Sequence, residues 1–479
     1  MNIILIVSDT FRKDHLGCYG NSWIHTPNLD RLAEEAVIFD RAYAASFPTV
    51  PNRRDIVTGR FTFVYSDWSP LSPDEVVLAD VLSRAGYVTM LIADTPHILK
   101  DGYHFDRGFD GWIWIRGQEN DRYRTDPIDL KFPCNPEKLR SPYRTVKQYF
   151  RNIVERRYES DYFVAKTMIE AAKWLEKNRK HEKFFLYVDT FDPHEPWDPP
   201  EWYVNLYDPG YEGEEIIYPA YRPSDYLTED ELRHMRALYA GEVTLVDRWI
   251  GFLLERVKDL NLWDDTAIIF TSDHGFYHGE HGLVGKSIIT EEASGYVPLY
   301  DEVASIPLMI RVPGVKPRRC NILAQPPDIM PTILDLAGVE VPETVQGRSL
   351  LPIIMGEDVD WRELAVSSPS IIHGPIAGQR ISAITKEWFL VYCGQIDDAL
   401  RELPTERKTR VVDGFERFQR ILGGRPKNEL YYIPEDPHQT KNIIDENMDV
   451  AKEIHIKLVK FLEDLGAREE ILKYWRKII

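Results

Sequence analysis

Four short runs of apolar and β-branched residues each end on an aspartate, and this pattern constrains the fold more than any other feature of the chain. The runs are NIILIVSD, YVTMLIAD, KFFLYVD and AIIFTSD, which end at Asp9, Asp94, Asp189 and Asp273. Continuous apolar runs of this length are typical of strands that are buried on both faces, as in a parallel sheet. The sequence therefore predicts an α/β fold with a mostly parallel central sheet.

The segments between these runs carry the apolar spacing of helices, for example TPNLDRLAEEAVIF and DYFVAKTMIEAAKWLEKNRK. Such helices would flank the sheet. Because ligands of open parallel sheets bind beyond the carboxyl ends of the strands, we expect the four aspartates to converge on one crevice. For any one of them alone, a cap at the start of a loop is an equally good interpretation.

The length of 479 residues predicts one large domain and a smaller one. We predict a catalytic α/β domain over residues 1–360. Shorter strand-like pieces and a final helix, NMDVAKEIHIKLVKFLEDLG, predict a C-terminal α+β subdomain over residues 361–479. Residues 111–160 are polar, aromatic and basic, and they predict a lid, a subunit contact or an insertion; a solvated excursion explains them equally well.

Composition and charge argue against some classes of binding partner for this chain. A net charge of −19 argues against a general nucleic-acid binder, although a local basic pocket could still hold one small anion. No run of eighteen apolar residues occurs, so we expect no membrane partner. The apolar run IILIV has no basic region or cleavage site around it, which predicts a core strand and a cytoplasmic protein. The cysteines form no CxxC pair, so we expect reduced thiols at Cys18, Cys134, Cys320 and Cys393.

An ordered set of motifs runs along most of the chain. SDTFRKDHLGCYG and TPNLDRLAEEAVIFDRAYA are followed by TVPNRRDIVTGR, RGFD, DPHEPW, TSDHGFYHGEHGLVGKS, PTILDLAG, QGRSLLP and ELYYIPEDPHQTKNI. In this order the chain resembles the sulfatase family of the alkaline phosphatase superfamily. The resemblance implies an alkaline-phosphatase-like fold, hydrolysis of an ester and a small anionic ester as substrate.

Two carboxylates and an imidazole stand at the ends of two predicted core strands, at Asp9, Asp273 and His274. Together with an oxygen from Thr49, they would suit one divalent cation. Such a cation would lower the pKa of the Thr49 hydroxyl and make it a competent nucleophile. A histidine ligand with few carboxylates favours manganese or zinc, and the calcium that is common in sulfatases stays open.

Further site residues complete the expected machinery. Arg53 would lie one helical turn after the nucleophile and could pair with it or with a bound anion. The resemblance implies that Lys286 and His194 bind the substrate anion. His194 could also protonate the leaving alcohol, a role for which His278 and His281 compete.

The chain departs from the family at three positions. Asp9 is followed by Thr10 where sulfatases usually have a second aspartate. Thr95-Pro96-His97 replaces a Lys-x-His segment, so His97 is retained and the lysine is lost. Thr49 stands where cysteine or serine is converted to formylglycine, and its β-methyl group prevents that conversion. We therefore expect no formylglycine.

Three functions remain open from the sequence. The first is a metal-dependent hydrolase of sulfuric or phosphoric-type esters with Thr49 as nucleophile. The second is a phosphodiesterase or phosphonate monoester hydrolase without real sulfatase activity, and the third is a catalytically silent relative that binds an anion. A homo-oligomer is possible. A second metal is conceivable if Asp189 or Asp192 joins His194 and His281.

Overall fold

The computed structural model describes residues 1–477 and is built around an eight-stranded sheet. In chain order the strands are β1 (Asn2–Ser8), β2 (Val37–Ala42), β3 (Ser46–Phe47), β4 (Val88–Ala93), β5 (Gly111–Trp114), β6 (Phe184–Thr190), β7 (Tyr221–Pro223), β8 (Thr266–Ser272), β9 (Tyr277–His278), β10 (Leu283–Ile289), β11 (Ser294–Gly295), β12 (Leu308–Arg311), β13 (Arg318–Ala324), β14 (Ala365–Pro369), β15 (Ile381–Ile384), β16 (Trp388–Tyr392) and β17 (Glu429–Tyr432).

Helices cover this sheet and the smaller sheets beside it. In chain order they are α1 (Pro27–Ala33), α2 (Thr49–Thr58), α3 (Leu78–Arg84), α4 (Pro96–Leu99), α5 (Lys147–Asn152), α6 (Phe163–Asn178), α7 (Glu201–Val204), α8 (Glu229–Asp259), α9 (Asp301–Ala304), α10 (Ile329–Ala337), α11 (Leu351–Met355), α12 (Ile396–Glu402), α13 (Thr405–Ile421), α14 (Met448–Asp464) and α15 (Glu469–Leu472). In the described part of the chain, no helix combines the length and apolar character that a membrane span requires.

The central sheet has the order β13-β2-β12-β8-β1-β6-β4-β5. The four predicted runs form its middle strands, β8, β1, β6 and β4, which pair in parallel. Only β12 runs antiparallel to its two neighbours. The prediction of an α/β fold with a mostly parallel sheet is therefore confirmed.

Alternate residues of the central strands face two separate cores. In β1, Ile4 and Ile6 pack with apolar side chains of α6 and α8, whereas Ile3 and Leu5 pack on the opposite face with α2, α3 and α10. Burying each such side chain stabilises the fold by about 1.5–3 kcal/mol. Two buried faces explain why these runs are continuously apolar rather than alternating.

The segment TPNLDRLAEEAVIF differs from its predicted form. Its helix, α1, ends at Ala33, and the residues from Val37 onward form β2. The β-branched and aromatic residues Val37, Ile38 and Phe39 favour a strand, and pairing with β12 and β13 supplies the hydrogen bonds.

A five-stranded sheet of order β17-β16-β15-β14-β3 forms the smaller unit, with α14 packed against it. Four of its strands come from residues 365–432, inside the predicted C-terminal subdomain. The fifth, β3, comes from the N-terminal part of the chain and pairs in parallel with β14 at Ser46 and Ser368. The smaller sheet is therefore shared between both ends of the sequence.

The polar stretch over residues 111–160 is not wholly an excursion. Its first four residues form β5, the edge strand of the central sheet, which pairs in parallel with β4. The first four residues of the predicted lid or insertion are therefore part of the central sheet. An edge strand exposes part of its surface, and Trp112 of β5 is accordingly exposed.

Asp55 connects the two units, which gives a testable prediction. Its carboxylate accepts hydrogen bonds from the Ser46 amide and hydroxyl, both at 2.7 Å, and from the Thr62 amide at 2.8 Å. Because Asp55→Ala leaves these buried donors unpaired, we expect the free energy of unfolding to fall by about 2–4 kcal/mol. Urea unfolding measures this loss. The exposed Asp358→Ala is the control, and equal stability of the two variants would contradict the assignment.

Candidate functional site

The ends of two adjacent strands bring the predicted metal ligands together. β1 and β8 pair with Ser8 opposite Ser272, so the next residues, Asp9 and Asp273, are neighbours. The ligand atoms of Asp9, Asp273 and His274 lie within 4.8 Å of one another, and all three side chains are fully buried. Within residues 1–477, no second group of three such side chains converges in this way.

Thr49 lies beside this group as the first residue of α2. Its hydroxyl oxygen is 3.5 Å from Nε2 of His274. Asn52 anchors the same helical turn, because its side-chain amide donates to the carbonyl oxygen of Asp273 at 2.9 Å. The positive end of the helix dipole at Thr49 favours negative charge on a nearby oxygen. The fold therefore points the predicted nucleophile at the predicted ligands.

Arg53, one turn further along α2, lies among three buried carboxylates. Its Nη1 is 3.0 Å from Oδ2 of Asp9 and 2.5 Å from Oδ2 of Asp273. Its Nε and Nη2 donate to Asp189, both at 2.9 Å. Toward Thr49 it reaches only the backbone carbonyl, at 3.4 Å, and not the hydroxyl. Arg53 thus binds the carboxylates that surround the nucleophile.

The carboxylate of Asp9 fits a cation ligand. Its Oδ2 is buried and accepts no hydrogen bond, since Nη1 of Arg53 is close but not aligned to donate. Burial, and then the charge of Asp273, raise the pKa of Asp9 well above its ordinary value. The positive charge near this carboxylate therefore does not fully stabilise its ionised form. Two aspartate oxygens and an imidazole nitrogen form a donor set that suits a divalent metal.

His274 presents a lone pair to the same space. Burial lowers its pKa to about 3, so the imidazole is neutral. Its Nδ1 donates to the carbonyl of Gly275 at 3.1 Å, because a carbonyl oxygen can only accept. Nε2 therefore carries the lone pair and faces Thr49. Such a nitrogen is a suitable metal ligand.

Lys286 contributes an unpaired cation at the rim of the group. Its Nζ is 3.5 Å from Nε2 of His274 and 3.4 Å from the hydroxyl of Thr10. Only 7% of the residue is exposed, and no carboxylate of the described chain lies within ion-pair distance. Its charge acts on Asp9 and Asp273 without direct contact, so the N–H groups of this buried ammonium can also donate to an anion.

Two further predicted histidines lie around the ring of Phe191. His194 stacks on this ring with centroids 4.0 Å apart, and His97 lies edge-on at 5.5 Å. Nδ1 of His194 donates to the carbonyl of Glu195 at 2.7 Å. Nε2 of His97 is 3.0 Å from Oε2 of Glu119. Nδ1 of His194 is also 3.2 Å from Oε2 of Glu195, so each imidazole has a carboxylate nearby, and His194 donates to a carbonyl in addition.

The charges around the two imidazoles shift their pKa values by different amounts. Burial lowers the pKa of both imidazoles. For His194, Lys286 adds to this effect and holds the pKa well below its ordinary value. Glu119 opposes the effect of burial on the pKa of both imidazoles; at His97 it acts more strongly than Lys286, whereas at His194 Lys286 acts more strongly. His97 is consequently the histidine that holds a proton more readily.

Glu119 is the site residue that sequence reasoning missed. It lies in the stretch over residues 111–160, has a φ of 45° and is 3% exposed. Its Oε1 accepts from the Tyr218 hydroxyl at 2.5 Å and from Arg140 at 3.4 Å. Nothing in the local pattern RGQENDRYRTD distinguishes it from the exposed charges around it. Its place depends on long-range contacts with His97.

Asp94 does not join the other strand-end aspartates. It accepts hydrogen bonds from the hydroxyls of Thr167 and Thr190, at 2.8 and 3.0 Å, and therefore connects α6 to the sheet. The expectation that all four aspartates converge is wrong for this residue. Asp189 reaches the site, where Arg53 and the hydroxyl of Thr95 bind it, the latter at 2.5 Å.

The two other histidines considered as proton donor, His278 and His281, contact residues outside this group. His278 contacts Arg12 and the ring of Trp197. His281 is 3.2 Å from Glu302 and stacks on Tyr300. The described structure does not bring together the residues of the conceivable second metal site, because their polar atoms bind other partners. These residues are Asp189, Asp192, His194 and His281.

A buried acid-and-imidazole group at the strand ends of an α/β sheet, beside a hydroxyl on a helix N-terminus, has the residue types that ester hydrolysis requires. The sequence profile described as Sulfatase matches residues 1–339, more than two thirds of the chain. The chain belongs to the sulfatase family. It is accordingly an ester hydrolase by family.

Individual relatives agree with this assignment. An N-acetylglucosamine-6-O-sulfatase of Bacteroides thetaiotaomicron is 27% identical over 444 residues, which cover 76% of this chain and 73% of the relative. An arylsulfatase of Clostridium perfringens is 28% identical, over 76% of this chain and 80% of its own. The solved phosphonate monoester hydrolase of Agrobacterium radiobacter superposes with a TM-score of 0.71 at 22% identity, covering 97% and 95% of the two chains. This last likeness shows the fold.

The contact between Glu119 and His97 can be tested directly. Since Glu119→Gln removes the negative charge that favours the imidazolium, we expect the pKa of His97 to fall. Histidine-selective NMR titration measures it. Glu302→Gln is the matched control, because Glu302 pairs with His281 instead. An unchanged His97 titration in Glu119→Gln would show that the carboxylate does not act on this imidazole.

Proposed function

We propose that this chain is a metal-dependent hydrolase of singly charged phosphoric-type esters, namely phosphodiesters and phosphonate monoesters, with the hydroxyl of Thr49 as nucleophile. The supporting observation is the 3.5 Å approach of this hydroxyl to His274, within the buried group that also contains Asp9 and Asp273. Family membership supports ester hydrolysis in general. The metal, the nucleophile and the substrate class are parts of the proposal.

The charges around Thr49 support a substrate with one negative charge. Three buried carboxylates face two cations, Arg53 and Lys286, which leaves one net negative charge. A divalent cation would change this balance to one net positive charge, which a monoanionic ester neutralises. A dianionic phosphate monoester would leave one net negative charge at the site. Thr95, at the position of the lost family lysine, donates to Asp189 but adds no charge.

One divalent ion would be held by Asp9, Asp273, His274 and the oxygen of Thr49. The donor set includes an imidazole and only two carboxylates, so it favours manganese or zinc over calcium, which prefers more oxygen ligands. When bound, such an ion lowers the pKa of the hydroxyl and offsets negative charge on the transferred group.

The side chains of the site divide the remaining work. The hydroxyl of Thr49 gives its proton to solvent and its oxygen attacks phosphorus in line; the bond from phosphorus to the leaving alcohol breaks, and a covalent threonyl ester forms. Lys286 binds an oxygen of the transferred group and offsets the charge that builds up there. Arg53 keeps the carboxylates in place. Water then attacks the same phosphorus atom, the bond to the Thr49 oxygen breaks, and Thr49 regains a proton from solvent as the product leaves.

The two histidines suit opposite proton transfers. We assign His97 as the donor to the leaving alcohol, because Glu119 favours its protonated form. His194 is neutral, and its Nδ1 donates to a carbonyl, so its Nε2 is free to accept a proton. It suits the second step, in which the attacking water must lose a proton.

Metal binding is the first prediction from this proposal. Elemental analysis and calorimetric titration should find one equivalent of manganese or zinc. Asp273→Asn should weaken its binding by on the order of 100-fold, because a charged ligand becomes neutral. His281→Gln is the control, since this imidazole binds Glu302. Stoichiometric metal in Asp273→Asn, or loss of an equivalent in His281→Gln, would contradict the assignment of the site.

The second prediction from this proposal concerns the nucleophile. Thr49→Ala should lower kcat by on the order of 1,000-fold or more while metal binding and the unfolding midpoint stay near wild type, because only a short side chain is lost. Thr49→Ser keeps a hydroxyl and should retain measurable turnover. Intact mass should match the unmodified sequence. If Thr49→Ala remains active, water is the nucleophile and the covalent step is wrong.

The third prediction from this proposal concerns the class of substrate. With one shared leaving group, bis(4-nitrophenyl) phosphate or 4-nitrophenyl phenylphosphonate should exceed 4-nitrophenyl sulfate in kcat/KM by on the order of 100-fold, about 3 kcal/mol of barrier. The reason is the second step, since a threonyl sulfate has no hydrate hydroxyl to expel it. Burst kinetics compare the substrates. Sustained turnover of the aryl sulfate with both phosphorus esters untouched would overturn this preference.

A further inference from the structure

A cavity of about 370 Å³ lies in the part of the chain that the proposed mechanism leaves unused. It is enclosed by the segment after β5, the end of α5 with the residues that follow it, and the first turn of α6. Its volume is in the range of small-ligand sites. The charged residues of its lining are Arg116, Arg124, Arg156 and Lys166, with Glu155 and Asp161. We call it the lid cavity.

The three arginines are already positioned by carboxylates. Each makes an ion pair, Arg116 with Asp121 at 2.7 Å, Arg124 with Glu155 at 2.6 Å and Arg156 with Asp198. These pairs fix the guanidinium groups and neutralise most of their charge. A guanidinium has five N–H donors, so pairing leaves some of them free to face the cavity.

Lys166 is the cation without a counterion. It is half-buried, and within residues 1–477 its ammonium group makes no hydrogen bond or ion pair; its nearest ring is Phe163, at 5.7 Å. Asp161 lines the same cavity, but its carboxylate accepts from the backbone amides of Arg157 and Tyr158 at 2.9 Å. Burial lowers the pKa of Lys166, Asp161 opposes this effect, and the neighbouring guanidinium groups add to it. An oxyanion in the cavity would give the ammonium group of Lys166 a direct hydrogen-bond partner, which it lacks within the described residues.

The lid cavity adjoins the candidate active site through one short turn. Asn152, in the cavity wall, donates to the carbonyls of Gly117 and Asp121, both at 2.8 Å. Between these two residues lies Glu119, which binds His97 on the other side. The same turn therefore borders both places.

We propose that the lid cavity is a second anion-binding site, which takes an oxyanion such as sulfate, phosphate or a carboxylate between Lys166 and the free N–H groups of its arginines. The oxyanion is either a free ion or a second charged group of the substrate. The binding site itself does not rest on the function proposed above.

Inorganic sulfate is the probe for the site. In the full-length Lys286→Met variant, which removes the cation of the active site, calorimetry should still find one bound sulfate. Adding Lys166→Met should weaken this binding at least tenfold, whereas adding Lys173→Met, an exposed lysine on the same helix that pairs with Glu170, should leave it unchanged. Lys166→Arg should preserve binding. Circular dichroism checks folding, and Arg124→Gln offers an independent variant that should also weaken binding.

Two results would overturn the proposal. One is the absence of sulfate binding in Lys286→Met, and the other is equal binding in the Lys166→Met and Lys173→Met variants. Kinetics identify the source of the anion. If Lys166→Met raises KM only for an ester with a remote carboxylate, the substrate supplies the group; if esters with and without it respond alike, the ligand is a free ion. If no ester is cleaved, the proposed function fails and the sulfate titration still decides the site.

Discussion

The guanidinium of Arg53 lies between carboxylates that come from the ends of three neighbouring strands. Asp9, Asp189 and Asp273 are fully buried, and without a cation their mutual repulsion would push those strand ends apart. Removing one partner from such a buried group typically costs about 3–5 kcal/mol. Because α2 also carries Thr49, the same contact sets the position of the hydroxyl. Stability and the geometry of the candidate nucleophile therefore have one physical cause.

The place of Thr49 also depends on how the two sheets meet. The residues directly before it form β3, which pairs with β14 of the smaller sheet, while α2 packs on the central sheet. Asp55 binds Ser46 of β3 from within α2. The candidate site lies at the junction of the two units, and this arrangement gives the C-terminal part of the chain a role in positioning it.

The stretch over residues 111–160 adds electrostatic detail to a common fold. Through Glu119 it gives His97 a carboxylate whose effect on the pKa outweighs that of Lys286, whereas at His194 the effect of Lys286 is the larger. On its other side it places ion-paired arginines beside the cavity that Lys166 lines. Both features sit on a surface segment, where sequence can change without disturbing the central sheet. Such a segment is a suitable place for substrate preference to arise.

The sequence by itself determined the α/β fold and the group formed by Asp9, Asp273, His274, Thr49 and Arg53. Apolar periodicity located the strand ends that carry Asp9 and Asp273, whereas the resemblance of TVPNRRDIVTGR to a sulfatase motif selected Thr49 and Arg53. Only the tertiary structure decided that Asp94 binds Thr167 and Thr190, that Glu119 reaches His97, and that Lys166 has no counterion. The physical reason is that periodicity reports which face of an element is buried, whereas the partners of polar side chains in loops depend on contacts between distant segments.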